Sequence, residues 1–331
     1  MILATTPLFW TERLQRPLHE RILPLPLEVR DFVHQVNLAT GVDAVPQAVS
    51  IDVGMRADLA LAINGMPASV RALVAPRLLG ICVGRGLGSC GITDIVVDAA
   101  GSLLGCIVLL DVDLMRTHTA NSWATWKDNL PFHNDGGFSV DTTIAEHEHD
   151  TRAGALQFLL LHEFGHVLSA GGDFLPRWWE APPQADFPFL DLSWTRNAAG
   201  RFVARPEYDF ALRGAVDFYG ASKLGSDALL SAYAGLESSA FPSLYGATNP
   251  YDDFAECFAT YVHSEMLHLP YVLRLDFDGQ PQAWLEPFWR SERSSAKRGF
   301  MRDFMHGFMH DVRQDFPGHA RAPETEALAL A

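Results

Sequence analysis

Two aliphatic, β-rich runs lie in the first third of the chain, Ile95-Val96-Val97 and Cys106-Ile107-Val108-Leu109-Leu110-Asp111-Val112. Between them Asp98-Ala99-Ala100-Gly101-Ser102 has turn composition, so the pattern predicts two antiparallel strands joined as a hairpin. Helical patterning follows. Ala153 to Ala170 holds good helix formers without proline, with Asp150 as the expected N-cap and Gly171-Gly172 as the stop. A second helix start lies at Asn249-Pro250, and apolar periodicity runs from there to about His263. Near the end, Phe300, Met301, Phe304, Met305, Phe308 and Met309 recur at three- and four-residue spacing, the pattern of one buried helix face.

Elsewhere punctuation outweighs periodicity. Prolines 7, 17, 24 and 26 break any long helix in residues 1–35 and suggest an arm laid over the body of the fold. Between Val53 and Leu79 the pattern is weak, and Asn64-Gly65 is a turn signal that closes either a helix or a hairpin. Gly84 to Gly91 is glycine-rich but has neither the ending of a P-loop nor the G-x-G-x-x-G spacing, so it reads as a flexible loop. Trp123 to Phe138 mixes aromatics with Asn134-Asp135-Gly136-Gly137 and reads as a surface loop. Residues 173–248 carry six prolines and read as a long insertion, with short helical patches at 208–219 and 227–236. The tail from Pro317 is rich in Ala, Pro and Glu and reads as mobile.

A chain of 331 residues with 48% hydrophobic side chains has the composition of a folded globule of one or two domains. Its 40 acidic and 25 basic residues leave −15, a field that repels nucleic acid and anionic lipid. No run is long enough and apolar enough to span a membrane, and the start lacks the organisation of a secretory signal. The expected location is the cytoplasm, with a dedicated export route still open. The four cysteines, Cys82, Cys90, Cys106 and Cys257, are too few and too irregular for a disulfide framework or a four-cysteine zinc site, and read as reduced and mostly buried.

The chemistry concentrates at His162-Glu163-Phe164-Gly165-His166. Histidines four apart on a helix share a face, so His162 and His166 can direct two imidazoles at one zinc ion. Glu163, beside the first of them, is placed to take a proton from a water on the metal. The flanking residues are apolar on both sides, and burying such a triplet is costly unless a partner satisfies it. A catalytic zinc needs a third protein ligand. Asp252 and Glu256, four apart at the start of the second helix, both qualify, although Asp252 at the third helical position also suits a plain helix-start acid. Glu146-His147-Glu148-His149 reads as a solvated loop, His263 as a structural histidine, and Cys257 has no ligand role.

H-E-F-G-H followed by a helix with paired acids resembles the gluzincin metallopeptidases. More narrowly, Tyr245-Gly246 through Thr248-Asn249, Asp252, Phe254-Ala255-Glu256 and Phe258 is similar to the catalytic domain of anthrax lethal factor and related bacterial zinc peptidases. The likeness covers two short blocks of the chain. It implies that Asp252 is the third zinc ligand, that Glu256 supports a ligand histidine, and that Tyr245 hydrogen-bonds the developing oxyanion. One departure is plain: the family has Glu where this chain has Asp252. Asp is one methylene shorter, so either the helix approaches the metal more closely or Glu256 takes the ligand role.

The expectation is an α+β, zincin-like fold. A small antiparallel sheet covers the active-site helix, and a mostly helical C-terminal part brings in the acids. Residues 1–120 form the arm and sheet-rich part, 121–316 the catalytic part within the same unit, and 317–331 the tail. The expected function is zinc-dependent peptide hydrolysis of a neutral or basic peptide or protein, with one Zn²⁺. The rivals are a zinc-bound peptide-binding protein or sensor without proteolysis, a zinc hydrolase of small amides or esters, and a metal-free interaction protein using the Phe/Met stripe.

Overall fold

In the computed structural model, residues 1–134, 136–181, 183, 185–219 and 223–315 are described, with 308–315 as backbone only. The expected mobile tail, 317–331, and the side chains of Phe308 and Met309 lie outside the described residues.

The expected hairpin is present, with Gly91–Val97 (β5) antiparallel to Leu103–Asp111 (β6). It sits inside a larger mixed sheet. Leu78–Arg85 (β4) runs parallel to β6 and Ile22–Pro24 (β2) parallel to β4, while Ile2–Leu3 (β1) pairs in parallel with the far end of β5. Gln47–Ala48 (β3) adds a short antiparallel edge to β4. The N-terminal residues are therefore not an arm, because they supply two strands of the sheet. Nor do their prolines forbid a helix: Pro26 occupies the N-cap position of Leu27–Thr40 (α1), where its missing N–H is harmless.

The sheet packs against a core on each face, which is why β6 reads as a nearly continuous apolar run. Val108 and Leu110 of β6 enter the main core together with Val53–Asn64 (α2), so the Asn64-Gly65 turn closes a helix. Ile107 and Leu109 face the other way, onto Val29 and Val33 of α1 and onto Trp10. Of the glycine-rich segment read as a flexible loop, Gly84 and Arg85 end β4 and Gly91 begins β5, so only 86–90 form a loop, and a pinned one. Gly86 and Gly88 adopt φ of +70° and +81°, Asn37 donates to the Gly86 carbonyl, and Asp111 accepts from Leu87 N–H.

Residues 120–129 correct the surface-loop reading. Ala120–Asn129 (α3) is a helix opened by a Thr119/Ser122 capping box, with Trp123, Lys127 and Asp128 buried. Asp150 caps this helix: it accepts from Asn121 N–H and from the Thr119 hydroxyl. The following helix, Arg152–Ser169 (α4), is capped instead by Thr151, one residue later than expected. Phe138–Thr143 (β7) begins a second antiparallel sheet completed by strands from the C-terminal part.

Within 173–248 the structure forms a small hairpin, Trp194–Arg196 (β8) with Phe202–Ala204 (β9), and the expected helical patch at Leu229–Glu237 (α5). The expected patch at 208–219 contains only a single 3₁₀ turn at Arg213–Ala215. Pro250–Tyr261 (α6) begins where Asn249-Pro250 predicts, and a π-helical turn, Val262–Met266, follows it. A hairpin of Val272–Phe277 (β10) and Gln280–Trp284 (β11) then joins β7 before Ser295–Asp315 (α7). The stripe on α7 is core, since Met301 and Met305 are buried and Phe300 packs on Phe174, Phe189 and Phe254. The chain is thus mixed α+β, with antiparallel pairs and a largely helical C-terminal part. Among the described residues no helix is long and apolar enough to cross a membrane.

Candidate metal centre

Helix α4 is apolar on nearly every side, so its imidazoles and carboxylate are carried into the interior by the helix itself. His162 and His166 lie one turn apart with their Nε2 atoms separated by 3.2 Å. Asp252 enters from α6. Its Oδ1 stands 3.3 Å from His166 Nε2 and 3.8 Å from His162 Nε2. Ligand atoms around one tetrahedral ion at zinc distances are roughly 3.3 Å apart, so this trio suits a shared metal. Among the described residues no other group of His, Cys, Asp or Glu converges in this way.

The two oxygens of Asp252 face different ways. Asn249 Oδ1 accepts from the N–H groups of Tyr251 and Asp252 and so caps the helix start, while Thr248 Oγ1 donates to Asp252 Oδ2 at 3.1 Å. Asn249 Nδ2 donates to Asp252 Oδ2 at 2.5 Å, which leaves Oδ1 toward the histidines. Burial would raise this carboxyl, but His166 and His162 beside it, with the Asn249 bond, hold it below its ordinary value.

Glu256, one turn along α6, occupies a different place. Its Oε1 hydrogen-bonds His162 Nδ1 at 2.9 Å, while Oε2 accepts from Ser243 Oγ at 2.6 Å and Lys127 Nζ at 3.4 Å. Burial pushes this carboxyl up, but the Lys127 ammonium and the bonds from His162 and Ser243 outweigh it and hold the group at about 2. Burial alone would lower His162, whereas its bond to Glu256 and the neighbouring carboxylates raise it overall. A carboxylate on Nδ1 fixes the ring and directs Nε2 toward a metal. The two acids therefore divide, Asp252 facing the paired Nε2 atoms and Glu256 behind His162.

Glu163 is also buried, and its Oε2 accepts from Thr93 Oγ1 at 2.7 Å. The Tyr245 ring lies nearly parallel to the His162 imidazole, with centroids 5.2 Å apart. Its hydroxyl hydrogen-bonds the Tyr219 hydroxyl. Burial first, then the nearby Asp252 charge, holds the Tyr245 phenol well above its ordinary range, so it remains a proton donor. His162, Glu163, His166, Tyr245 and Asp252 line an open cleft of about 580 Å³, together with Val36, Leu87 and Trp178.

Three other sequence candidates fall away from this cluster. Glu146 to His149 are exposed. His263 is buried, with Nε2 shared between the Ile144 and Pro270 carbonyls, a structural role as read. Cys257 faces Asp253 and, like the other three cysteines, is free and buried.

The sequence reading missed the residues that brace the site. Lys127 lies in a segment read as loop, where the Thr119/Ser122 capping box and the four-residue spacing of the buried Trp123 and Lys127 mark the helix. Gly91 and Thr93 are two apart on β5 and so face α4 together. In comparisons with known proteins, no family model, no curated protein and no solved structure matches the chain.

Proposed function

We propose that the chain is a zinc-dependent metallopeptidase of gluzincin type with a zincin-like fold. The observation that carries this reading is the convergence of His162 Nε2, His166 Nε2 and Asp252 Oδ1 in an open cleft, beside the buried carboxylate of Glu163. His162, His166 and Asp252 would hold the ion, and Glu256 would fix the His162 ring. A zinc ion bound there would polarise a carbonyl and lower the pKa of a coordinated water to about 7.

The protein's own groups supply the rest. Glu163 takes the proton from the attacking water and returns it to the leaving amine. Tyr245, held neutral, donates a hydrogen bond to the oxyanion as it develops. The Thr93 bond keeps the Glu163 side chain from wandering in the cleft. A cleft open to solvent and bordered by carboxylates suits an extended neutral or basic peptide.

Elemental analysis of the purified chain tests the metal. One zinc per chain, lost on His166→Ala or Asp252→Ala substitution, is the expected result, and no stoichiometric metal overturns the reading. Peptide digestion with and without a chelator then separates a peptidase from a zinc-bound protein that only binds peptides, and from a hydrolase of small esters or amides.

A further inference from the structure

The two oxygens of Glu163 are held unequally by strand β5. Thr93 Oγ1 donates to Oε2 at 2.7 Å and lies 3.2 Å from the backbone carbonyl of the same glutamate. Oε1 accepts no hydrogen bond among the described residues. It rests against Gly91, where a Cβ would stand 2.3 Å from it, and Leu159 closes the same slot. The strand carrying these residues is fixed by its pairing, Gly91 with Leu110 and Thr93 with Val108. Gly91 is therefore glycine for the space it leaves, and Thr93 offers the hydroxyl.

We propose that Thr93 and Gly91 are positioning residues that decide which oxygen of Glu163 serves as the base: Oε2 is the anchored end and Oε1 the end that takes the proton. This rests on the hydrolytic reading above. In the step, an O–H bond of the attacking water breaks, its oxygen bonds to the substrate carbonyl carbon, and the proton passes to Oε1. When the C–N bond breaks, the same proton moves to the leaving nitrogen and Glu163 is a carboxylate again. A glutamate side chain left free samples several rotamers, few of which point one oxygen at the water. The hydroxyl bond and the slot select one before substrate arrives.

The alternative is that the hydroxyl merely satisfies a buried acid. Thr93→Val keeps the shape and removes the donor, and Thr93→Ser keeps the donor. In Thr93→Val, zinc content, thermal midpoint and KM should stay near wild type while kcat falls about tenfold to a hundredfold, the scale of a small misplacement. Thr93→Ser should recover most of that loss. In a Glu163→Gln background, Thr93→Val should cost nothing further, because it acts through the carboxylate. Gly91→Ala should lower kcat in the same manner by filling the slot.

A second readout needs no turnover. Crystal structures of the wild type and of Thr93→Val should show the carboxylate in its slot in the first and displaced or spread over rotamers in the second. A carboxylate unmoved in Thr93→Val overturns the proposal, as does an unchanged kcat or a failure of Thr93→Ser to restore it. A protein that cleaves nothing defeats the hydrolytic reading instead, and the crystal comparison then decides the anchoring by itself.

Discussion

Gly165 of α4 and Ala255 of α6 meet backbone to backbone: a Cβ on Gly165 would stand 2.6 Å from Ala255 Cα and 3.1 Å from its Cβ. Real side-chain atoms do not approach so closely. The glycine inside His162-Glu163-Phe164-Gly165-His166 thus lets the helices that carry the two histidines and Asp252 close on each other. That closeness lets the short side chain of Asp252 reach 3.3 Å from His166 Nε2.

Gly165→Ala should push the helices apart. The expected cost is about 1–3 kcal/mol of stability, the usual range for overpacking a tight core. Zinc affinity should fall with it, because Asp252 withdraws from the histidines. Thermal unfolding and competition with a chromophoric chelator read the two effects, and unchanged values in both would contradict the close-approach account.

Asp252→Glu alone should weaken zinc binding, since the longer acid overshoots a site built at short range. Combined with Gly165→Ala, it should regain part of what either change loses, a coupling of about 0.5–3 kcal/mol expected of residues that share one contact. Strictly additive losses in the double variant would argue that the helix spacing and the acid's length are independent.

Much of this site is legible in the residues. The pair His162 and His166 follows from helical spacing, and the Asn249-Pro250 start places Asp252 and Glu256 on one face of α6. The hairpin of β5 and β6 is visible because both strands are apolar and the turn between them is not. What stays hidden is set by partners distant in sequence. Lys127 becomes a buried ammonium only when α3 meets α6 and Glu256. Pro26 reads as a helix breaker, yet at the position it occupies it begins α1. The choice between Asp252 and Glu256 likewise needed the third dimension, because only packing shows which oxygen reaches Nε2 and which reaches Nδ1.

Lys127→Met should damage both fold and metal site. Removing the ammonium leaves Asp128 and Glu256 without their cation in a buried setting, a change that costs about 3–5 kcal/mol when one partner of a buried pair is lost. Glu256→Gln is the gentler probe. It should lower zinc affinity about 10- to 100-fold, as loss of a carboxylate behind a ligand histidine does, with the protein still folded. Retained zinc affinity in Glu256→Gln would show that the bond to His162 Nδ1 is incidental.

His263 gives a pH signature apart from the metal. Burial lowers its pKa, and its bonds to the Pro270 and Ile144 carbonyls only partly offset this. Below about pH 6.5, the ordinary histidine value, the unfolded chain takes up a proton that the folded one resists, so stability drops as pH falls toward the lowered folded value. In chelator-treated protein, urea midpoints at pH 7.5 and 5.5 should differ more in the wild type than in His263→Gln, whose amide can still donate to the carbonyls. The shortfall is at most about 1.4 kcal/mol per pH unit for one such group. An identical pH slope in both proteins would contradict the reading.

The central claim, peptide hydrolysis at this centre with Glu163 as the base, is tested most directly by digesting an unbiased peptide library with the zinc-loaded chain and identifying the products by mass spectrometry. The account predicts cuts that vanish with a chelator, return with zinc, and fall by about 10²–10⁴ in Glu163→Gln, the usual worth of a general base, while that variant keeps its zinc. No cuts at all, or cuts that persist undiminished in Glu163→Gln, would contradict it.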